Sequence, residues 1–379
     1  MTRVPPTVRR RVARAGTRTR GLRRRASHRV HRAAATLRTR TVRGEELGAL
    51  LFGQQHLGSR EFFEAVLGQA HTVPLSAFPH VAFLRDPDGG RAEFDDYLDQ
   101  SWSYRRPKKN TRKARRRHMQ RFLERKELVE RGERAEEPAL VYRRRDGRYV
   151  LVDGNHRAAI AYVLGQPLRL RVLSTRQWLS ETVLLSGAFF GSGHRNMPYQ
   201  SLFDRDRELV RGRRRDTVER IARIDRDDLV GRRVLDLGCN IGATVFAAAD
   251  RGAAHVTGLE VDPRIVVSAT RLNSYFGADV DFRVHDLDEP YHPTAPVDTL
   301  LCFSVAAHVR TLAGLEETIR AAAPRVMYFE GHAGTTADDY PTLLRADWFP
   351  RIDLLGHSGS GNPGSSERRP FYRCVATDA

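Results

Sequence analysis

One turn of the chain has the residue types and the spacing that a ribose-containing cofactor requires. Residues 234–242, with the sequence VLDLGCNIG, form an apolar run that carries Asp236 and leads into a turn between Gly238 and Gly242. Glycine lets the backbone approach a ligand closely, and a helix that begins after the turn directs unpaired N–H groups at that ligand. Glu260 stands 22 residues after Gly238, at the end of the next apolar run. A carboxylate in that place can accept hydrogen bonds from both hydroxyls of a ribose.

A second group of polar residues follows two later apolar runs. His308 lies just past the run at 298–303, and Glu330 and His332 lie at the end of the run at 325–330. Ligands of open parallel sheets bind at the carboxyl ends of the strands. His308, Glu330 and His332 are therefore candidate bases or groups that orient a substrate, and the alternative for each is a purely structural polar role.

A third candidate site lies in the N-terminal half, in the sequence DGNHR at 153–157. This polar turn precedes an apolar helix predicted at 158–164. Backbone N–H groups, an arginine and the positive end of a helix dipole can converge on a phosphate. The candidate phosphate-binding residues are Gly154, Asn155, His156 and Arg157. The alternative is that Arg157 pairs with an acid such as Asp153 and only braces the turn.

Periodicity predicts the elements that position these residues. In the C-terminal half, a helix at 243–250 and a strand at 255–259 follow the glycine turn. In the N-terminal half, short helices are predicted at 45–56 and 61–68, and strands at 139–142, 149–152 and 169–173. Between them, Asn110 or Thr111 can begin a basic helix whose apolar side is Met119, Phe122 and Leu123.

The C-terminal half resembles the class I S-adenosylmethionine-dependent methyltransferases. Four segments carry the resemblance in the family's order: VLDLGCNIG at 234–242, VTGLEVD at 256–262, FRVHDLDE at 282–289 and DTLLCFSVAAHV at 298–309. The resemblance implies an α/β, Rossmann-like, seven-stranded sheet that ends in an antiparallel hairpin. Segments 325–330, 352–355 and 371–376 can supply its last three strands.

The same resemblance implies S-adenosylmethionine as cofactor and a role for each residue of the motifs. Glu260 would bind the ribose, Asp286 and Leu287 would flank the adenine, and Phe303 and Ser304 would lie beside the sulfonium. The methionine part would be held by the glycine turn, whose residues are Asp236, Gly238, Cys239, Asn240 and Gly242.

The segment LVDGNHRAAIAYV at 151–163 resembles the ParB/sulfiredoxin-like α+β fold. Sulfiredoxins carry a reactive cysteine in this turn, where Asn155 stands here, so that reaction is not expected. Partition proteins have Glu-Arg-Arg after the glycine, so their nucleotide specificity cannot be transferred to this chain. Phosphate or nucleotide binding and simple helix capping both remain open for this module.

Charge and composition bound the domain organisation. Residues 1–44 hold fifteen arginines and no acid, and the rest of the chain has 49 basic residues against 46 acids. Like charges and few apolar residues predict a disordered tail at 1–45. A ParB/sulfiredoxin-like module at 46–185, a linker at 186–203 and a methyltransferase domain at 204–379 follow.

Location and metal content follow from what the sequence lacks. The three cysteines lie far apart with no CxxC spacing, which excludes a disulfide framework or a cysteine zinc site and fits a reducing cytoplasm. No metal site is predicted. No apolar run approaches the about 18 residues that span a bilayer, so no membrane partner is expected.

The sequence indicates only which methyl acceptors are unlikely. Amino-methylating DNA enzymes resemble one another in an Asn/Asp/Ser-Pro-Pro-aromatic turn after the fourth strand, and cytosine-C5 enzymes in a Pro-Cys pair, whereas residues 302–306 read CFSVA. DNA is therefore an unlikely methyl acceptor. We expect a small-molecule or nucleotide-like substrate. The alternative is a nucleic-acid-binding protein whose basic segments dock RNA, either as methyl acceptor or beside a vestigial methyltransferase fold. Residues 198–201 and the arginines at 211–215 look like a helical lid that could cover the cofactor and contact an anionic acceptor, and the alternative is a solvated helix face.

Overall fold

The computed structural model describes residues 39–53, 72–105, 107–133, 137–175, 177–179, 198–359 and 368–376. They form a six-stranded sheet in the N-terminal half, a seven-stranded sheet in the C-terminal half and a two-stranded hairpin before the latter. The helix predicted at 61–68, the glycine-rich linker at 187–197 and residues 1–38 of the basic tail lie outside the described residues.

The helices of the described residues fall into two groups, one in each half of the chain. They are α1 (Gly44–Gly48), α2 (Pro79–Arg85), α3 (Arg91–Arg105), α4 (Arg112–Glu130), α5 (Asn155–Val163), α6 (Thr217–Ala222), α7 (Ala243–Asp250), α8 (Pro263–Phe276) and α9 (Ala313–Ala322). The strands of the first sheet are β1 (Thr39–Val42), β2 (Leu51–Gly53), β3 (Thr72–Pro74), β4 (Ala139–Arg143), β5 (Tyr149–Asp153) and β6 (Leu168–Leu173). The hairpin and the second sheet contain β7 (Leu202–Asp204), β8 (Arg207–Val210), β9 (Arg233–Leu237), β10 (His255–Glu260), β11 (Val280–Val284), β12 (Thr299–Phe303), β13 (Val326–Glu330), β14 (Arg351–Gly359) and β15 (Arg368–Val375).

The first sheet has the strand order β1-β6-β4-β5-β2-β3 and corrects two expectations. Strand β1 belongs to the segment predicted as disordered, yet it pairs antiparallel with β6 through Thr39↔Arg171 to Val42↔Leu168. The helix predicted at 45–56 ends at Gly48, and Leu51 and Phe52 pair with strand β5 instead. Pairing with strands that lie far away in sequence outweighs the local helical pattern.

Helices α4 and α5 carry two of the sequence motifs. Helix α4 begins after Thr111, whose hydroxyl accepts a hydrogen bond from the backbone N–H of Ala114, as one of the two predicted starts requires. Met119 and Phe122 are buried in the core of this module. Helix α5 begins three residues earlier than predicted, so 155–157 form its first turn rather than a preceding loop.

The second sheet has the strand order β11-β10-β9-β12-β13-β15-β14. Strands β9 to β13 are parallel, while β15 runs antiparallel to both β13 and β14. This arrangement confirms the predicted seven-stranded sheet with its final antiparallel hairpin. Every residue of β12 and β13 is buried. Packing on both faces therefore fixes the carboxyl ends of these central strands, and the candidate site residues follow at those ends.

Candidate functional site

The loop after β9 has a backbone that its sequence is suited to form. Gly238, Asn240 and Gly242 adopt φ values of 71°, 52° and 81°, in the left-handed region that favours glycine and tolerates asparagine. A Cβ on Gly242 would lie 2.5 Å from the ring of Phe282, and one on Gly238 would lie 2.9 Å from Val305. The glycines therefore allow the close packing that holds this loop at the end of the sheet.

Glu260 joins the first two strand ends. Its Oε2 accepts a hydrogen bond of 3.1 Å from the backbone N–H of Asn240, and its Oε1 accepts one of 3.0 Å from that of Asp262. Burial raises the pKa of this carboxyl, and the two backbone N–H groups oppose that effect. The carboxylate thus braces the glycine loop while it faces the same space as the loop.

A cavity of about 530 Å³ opens above the carboxyl ends of β9 to β12. Eight of the ten residues predicted to bind the cofactor line it, and these are Asp236, Gly238, Asn240, Glu260, Asp286, Leu287, Phe303 and Ser304. His308 also lines it. Cys239 and Gly242 are not among the lining residues; Cys239 is buried behind the loop, where its N–H donates to Leu259.

Several buried polar atoms of the residues that line this cavity have no hydrogen-bond partner among the described residues. They include Asp236 Oδ2, Gln200 Oε1 and Arg220 Nη2. Burial raises the pKa of Asp236 to about 7, against the opposing charge of Arg220. Leaving such groups unsatisfied costs about 1–3 kcal/mol each. An amino-acid end group, with one ammonium and one carboxylate, has the donors and acceptors that would satisfy them.

Arg220 was not identified from the sequence, although it lies in the short helix α6. In the sequence, the only sign of a buried position is the apolar neighbour Ile221. The structure shows that both side chains are buried. Its ion pairs are long, 3.5 Å to Asp216 and 3.6 Å to Glu330. The Arg220 guanidinium carbon also lies 5.3 Å from the centroid of the Phe303 ring. Arg220 is thus a buried cation at the cavity wall that is only partly neutralised by the protein.

Glu330 lies in a buried ion network beneath the cavity rather than among the lining residues. Its side chain has no exposed surface, and Arg214 Nη2 donates to both carboxylate oxygens at 2.7 and 2.9 Å. The hydroxyls of Ser304 and Ser358 donate to the same carboxylate. Burial alone would raise the pKa of Glu330, but Arg220 and Arg214 outweigh it and the pKa lies below its usual range. This geometry does not suit a base that meets a substrate.

The segment at 198–215, expected to be a helical lid, is a β-hairpin. Strands β7 and β8 pair antiparallel, and Arg205 between them has a φ of 55°. The Ser201 hydroxyl accepts a hydrogen bond from the N–H of Gly212, where a Cβ would lie 2.2 Å from the Gln200 carbonyl carbon. This tight closure brings Tyr199, Gln200, Arg213 and Arg214 to the cavity wall.

His308 and His332 differ in exposure and in hydrogen bonding. His308 is exposed and lines the cavity. His332 lies with its ring centroid 6.0 Å from that of His308, and its Nε2 accepts a hydrogen bond from the N–H of Ala307 at 3.1 Å. Burial lowers the pKa of His332, and Arg369 and His308 add to that effect. His332 is thus a neutral ring that supports the loop carrying His308.

The candidate phosphate site in the N-terminal half surrounds the first turn of α5. Gly154 has a φ of 97°, and Arg157 Nη1 donates to the backbone carbonyl of Glu137 at 3.0 Å. His156 Nε2 lies 3.1 Å from His118 Nε2, and burial followed by His118 lowers the pKa of His156 to about 4. Neither Gly154 nor Asn155 lines the adjacent cavity of about 870 Å³, whereas His156 and four arginines do: Arg43, Arg125, Arg157 and Arg169.

The described residues also bear on metal binding and on membrane insertion. Within them, no group of three or more histidine, cysteine or acidic side chains is arranged to hold a metal ion. The helices of that part of the chain are also too short or too polar to cross a membrane.

Comparison with known proteins identifies part of the C-terminal half. Residues 234–325 match the family model described as a methyltransferase domain. This match contains the glycine loop, Glu260 and the strand that ends at Phe303. It leaves the N-terminal half out, so the ParB/sulfiredoxin-like resemblance there stays a prediction. A search of curated protein sequences gave no significant match.

Three solved structures that resemble this chain are distant from it in sequence. EvdMO1 is 23% identical over 42% of this chain and 40% of its own, with a TM-score of 0.35. The bifunctional kinase-methyltransferase WbdD is 20% identical over 51% and 45%, with a TM-score of 0.39. Magnesium protoporphyrin IX methyltransferase of Synechocystis PCC 6803, solved with bound SAH, is 18% identical over 42% and 82%, with a TM-score of 0.36. The chain thus spans less than half of the first two proteins, and likenesses this weak assign no substrate.

Proposed function

We propose that this chain, whose C-terminal domain is a methyltransferase domain with S-adenosylmethionine as its cofactor, transfers a methyl group to a small-molecule or nucleotide-like acceptor beside His308. The observation that carries the proposal is the cavity at the ends of β9 to β12, because buried groups without partners face it together with Glu260. The cofactor supplies a methyl group already activated by its sulfonium.

The residues of the cavity fit the parts of this cofactor. In this proposal Glu260 binds the ribose hydroxyls, and Asp286 and Leu287 flank the adenine. Asp236 and Arg220 both line the cavity, so a carboxyl and a guanidinium are available for the ammonium and the carboxylate of the methionine part. Charge-assisted hydrogen bonds of this kind are shorter and stronger than neutral ones.

The remaining work of the protein is to orient the acceptor and to handle one proton. Holding an acceptor in line with the methyl group can remove about 7–11 kcal/mol of the barrier of such a reaction. An acceptor that keeps its proton at neutral pH also needs a base. His308 is the candidate with an exposed ring at the cavity, while Glu330 and His332 hold Ser304 and the 305–308 loop in position.

The test of this assignment is a labelled-methyl screen with the full chain against small metabolites, nucleotides, RNA and protein. With any acceptor that receives label, His308→Ala is expected to lower turnover by about 10²–10⁴-fold, the usual contribution of a general base. Affinity for S-adenosylmethionine should not change. Glu289→Ala, which alters an exposed acid of the same domain, is the matched control. Full turnover in His308→Ala with an acceptor that must lose a proton would exclude His308 as the base.

We infer a second site, for a phosphate-bearing ligand, in the N-terminal module. The cavity lined by four arginines favours it, although Glu133 and Glu137 also line that cavity and Arg157 contacts Glu137. Arginine forms paired hydrogen bonds with phosphate and stays charged at all relevant pH values.

Arg157→Ala is expected to abolish any thermal shift that nucleotides or phosphate esters produce in the full chain. It should leave S-adenosylmethionine binding intact, because that cavity lies in the other domain. Arg143→Ala, at an exposed position outside the cavity, serves as control. If no nucleotide shifts the melting of the wild type and Arg157→Ala only loses stability, Arg157 braces the turn.

A further inference from the structure

The basic helix α4 is divided into two halves of different charge balance. Between Arg105 and Leu123 the sequence contains no acidic residue. Seven cations of this stretch are exposed and form no ion pair with a carboxylate of the described residues; these seven, here called the basic face, are Lys108, Lys109, Arg112, Lys113, Arg116, Arg117 and Arg121. The C-terminal half is neutralised, since Lys126 pairs with Glu130 and Arg131 with Glu127.

Not every cation of the helix belongs to this face. Arg115 is only 13% exposed and points inward, with hydrogen bonds of 2.7 Å to Asp95 and 2.6 Å to Asp99 of helix α3. That pairing fixes the helix on the module. Because Met119 and Phe122 are buried on the same inner side, the orientation of the helix is set. Five of the seven cations project from it, and Lys108 and Lys109 lie in the short helical turn before it.

The basic face is unfavourable for the helix that carries it. Its first turn contains cations and no acid, although the positive end of the helix dipole favours the reverse. Like charges spaced four residues apart in the helix, as at Lys113, Arg117 and Arg121, also repel one another. A polyanion would relieve both effects at once, whereas folding of the module alone gains nothing from them.

The length and the polarity of this surface favour a nucleic acid over a lipid membrane as its polyanionic partner. From Arg112 to Arg121 the helix extends about 14 Å, a length over which a nucleic-acid duplex presents about one phosphate charge per 1.7 Å. Membrane-surface helices need an exposed apolar face, but the buried residues of α4, Met119, Phe122 and Val129, face the core. The surface therefore suits a phosphate backbone better than a lipid surface.

We propose that the basic face of α4 binds RNA through its phosphate backbone. RNA is chosen over DNA on the strength of the proposed function, because the loop after β12 lacks both sequence patterns of DNA base methyltransferases, so DNA is not expected as the methyl acceptor. Binding at the basic face can still be measured without cofactor, since contacts to phosphates require no methyl transfer. It would hold RNA without reading sequence, since contacts to phosphates position a nucleic acid and do not specify it.

The test is fluorescence anisotropy of a labelled RNA duplex with the full chain at several salt concentrations. The fourfold variant Lys109→Ala, Lys113→Ala, Arg117→Ala and Arg121→Ala should weaken binding at least about tenfold. It should also reduce the slope of log affinity against log salt by up to about 3.6, because each released counterion contributes about 0.9. The double variant Lys126→Ala and Arg131→Ala, which removes paired cations, should bind like the wild type.

Calorimetric titration with S-adenosylmethionine separates this proposal from the proposed function, because cofactor affinity should be the same in all three proteins. An unchanged slope and affinity in the fourfold variant would overturn the proposal and assign RNA binding to the arginines at 1–44. Tighter binding of a DNA duplex of equal length would overturn the choice of RNA. Binding to phosphatidylserine vesicles that depends on the basic face, without RNA binding, would replace RNA by a membrane.

Discussion

Glu330→Ala is expected to destabilise the protein by about 3–5 kcal/mol, the usual effect of removing one partner from a buried ion pair. The variant leaves Arg214 and Arg220 buried with only Asp216 to neutralise them, and it leaves Ser304 and Ser358 without their common acceptor. Equilibrium denaturation by urea, followed by circular dichroism, measures the loss.

Glu330→Gln distinguishes charge from shape, since it keeps the volume and should still lose most of this stability. The pKa of Glu330 is lowered in the folded state, so its contribution is present above the ordinary carboxyl pKa and is lost as pH falls through the lowered value. The difference between wild type and Glu330→Gln should therefore be largest at neutral pH and shrink in acid. Wild-type stability combined with lost turnover would show instead that Glu330 acts on the acceptor.

Glu260→Ala is expected to weaken S-adenosylmethionine binding by about 2–3 kcal/mol, the scale of hydrogen bonds to a charged group. This corresponds to roughly 30- to 150-fold in affinity. The variant removes the proposed ribose acceptor and also the two contacts to the backbone of Asn240 and Asp262. Isothermal titration calorimetry of the full chain measures the change.

The conservative variant Glu260→Gln separates the two roles of this side chain. Gln can still accept one backbone hydrogen bond, so the loop should hold, but it offers only one acceptor oxygen to two ribose hydroxyls. We expect an intermediate affinity and a melting temperature near that of the wild type. If Glu260→Ala unfolds while its remaining folded fraction binds the cofactor normally, Glu260 is a structural residue.

The sequence could predict which residues lie together at the carboxyl ends of β9 and β10, because their positions depend on local pattern. Gly238 and Gly242 lie in one loop, and Glu260 follows at the end of the neighbouring parallel strand, where the register Leu259↔Leu237 places it. Alternating apolar strands and helices permit few other topologies. Helix α7 followed from the same periodicity, whereas the seven-stranded sheet is what the resemblance to class I methyltransferases implied.

The buried ion network around Glu330 could not be predicted from the sequence, because its residues are far apart in the chain. Arg214 and Glu330 are separated by 116 residues, and no pattern in either segment indicates that they meet. The charge run at 211–215 therefore suggested a solvated or lid helix, whereas Arg214 is buried. In a run of arginines, the sequence alone does not show which side chain is buried, because tertiary packing determines that.

Boundaries in the N-terminal half were missed for a related reason. Leu51 and Phe52 continue a helical pattern locally, but they become a strand because β5 provides a partner. Helix α5 begins at Asn155 because Gly154 can adopt a positive φ. Local propensity is a weak guide where a neighbouring strand or a single glycine decides the backbone.

The most direct test of the account is calorimetric titration of the full chain with S-adenosylmethionine and with its demethylated product. We predict binding of one molecule per chain, strongly weakened in Glu260→Ala and unchanged in Arg157→Ala. A correctly folded chain that binds neither compound at millimolar concentration would contradict the assignment of this cavity.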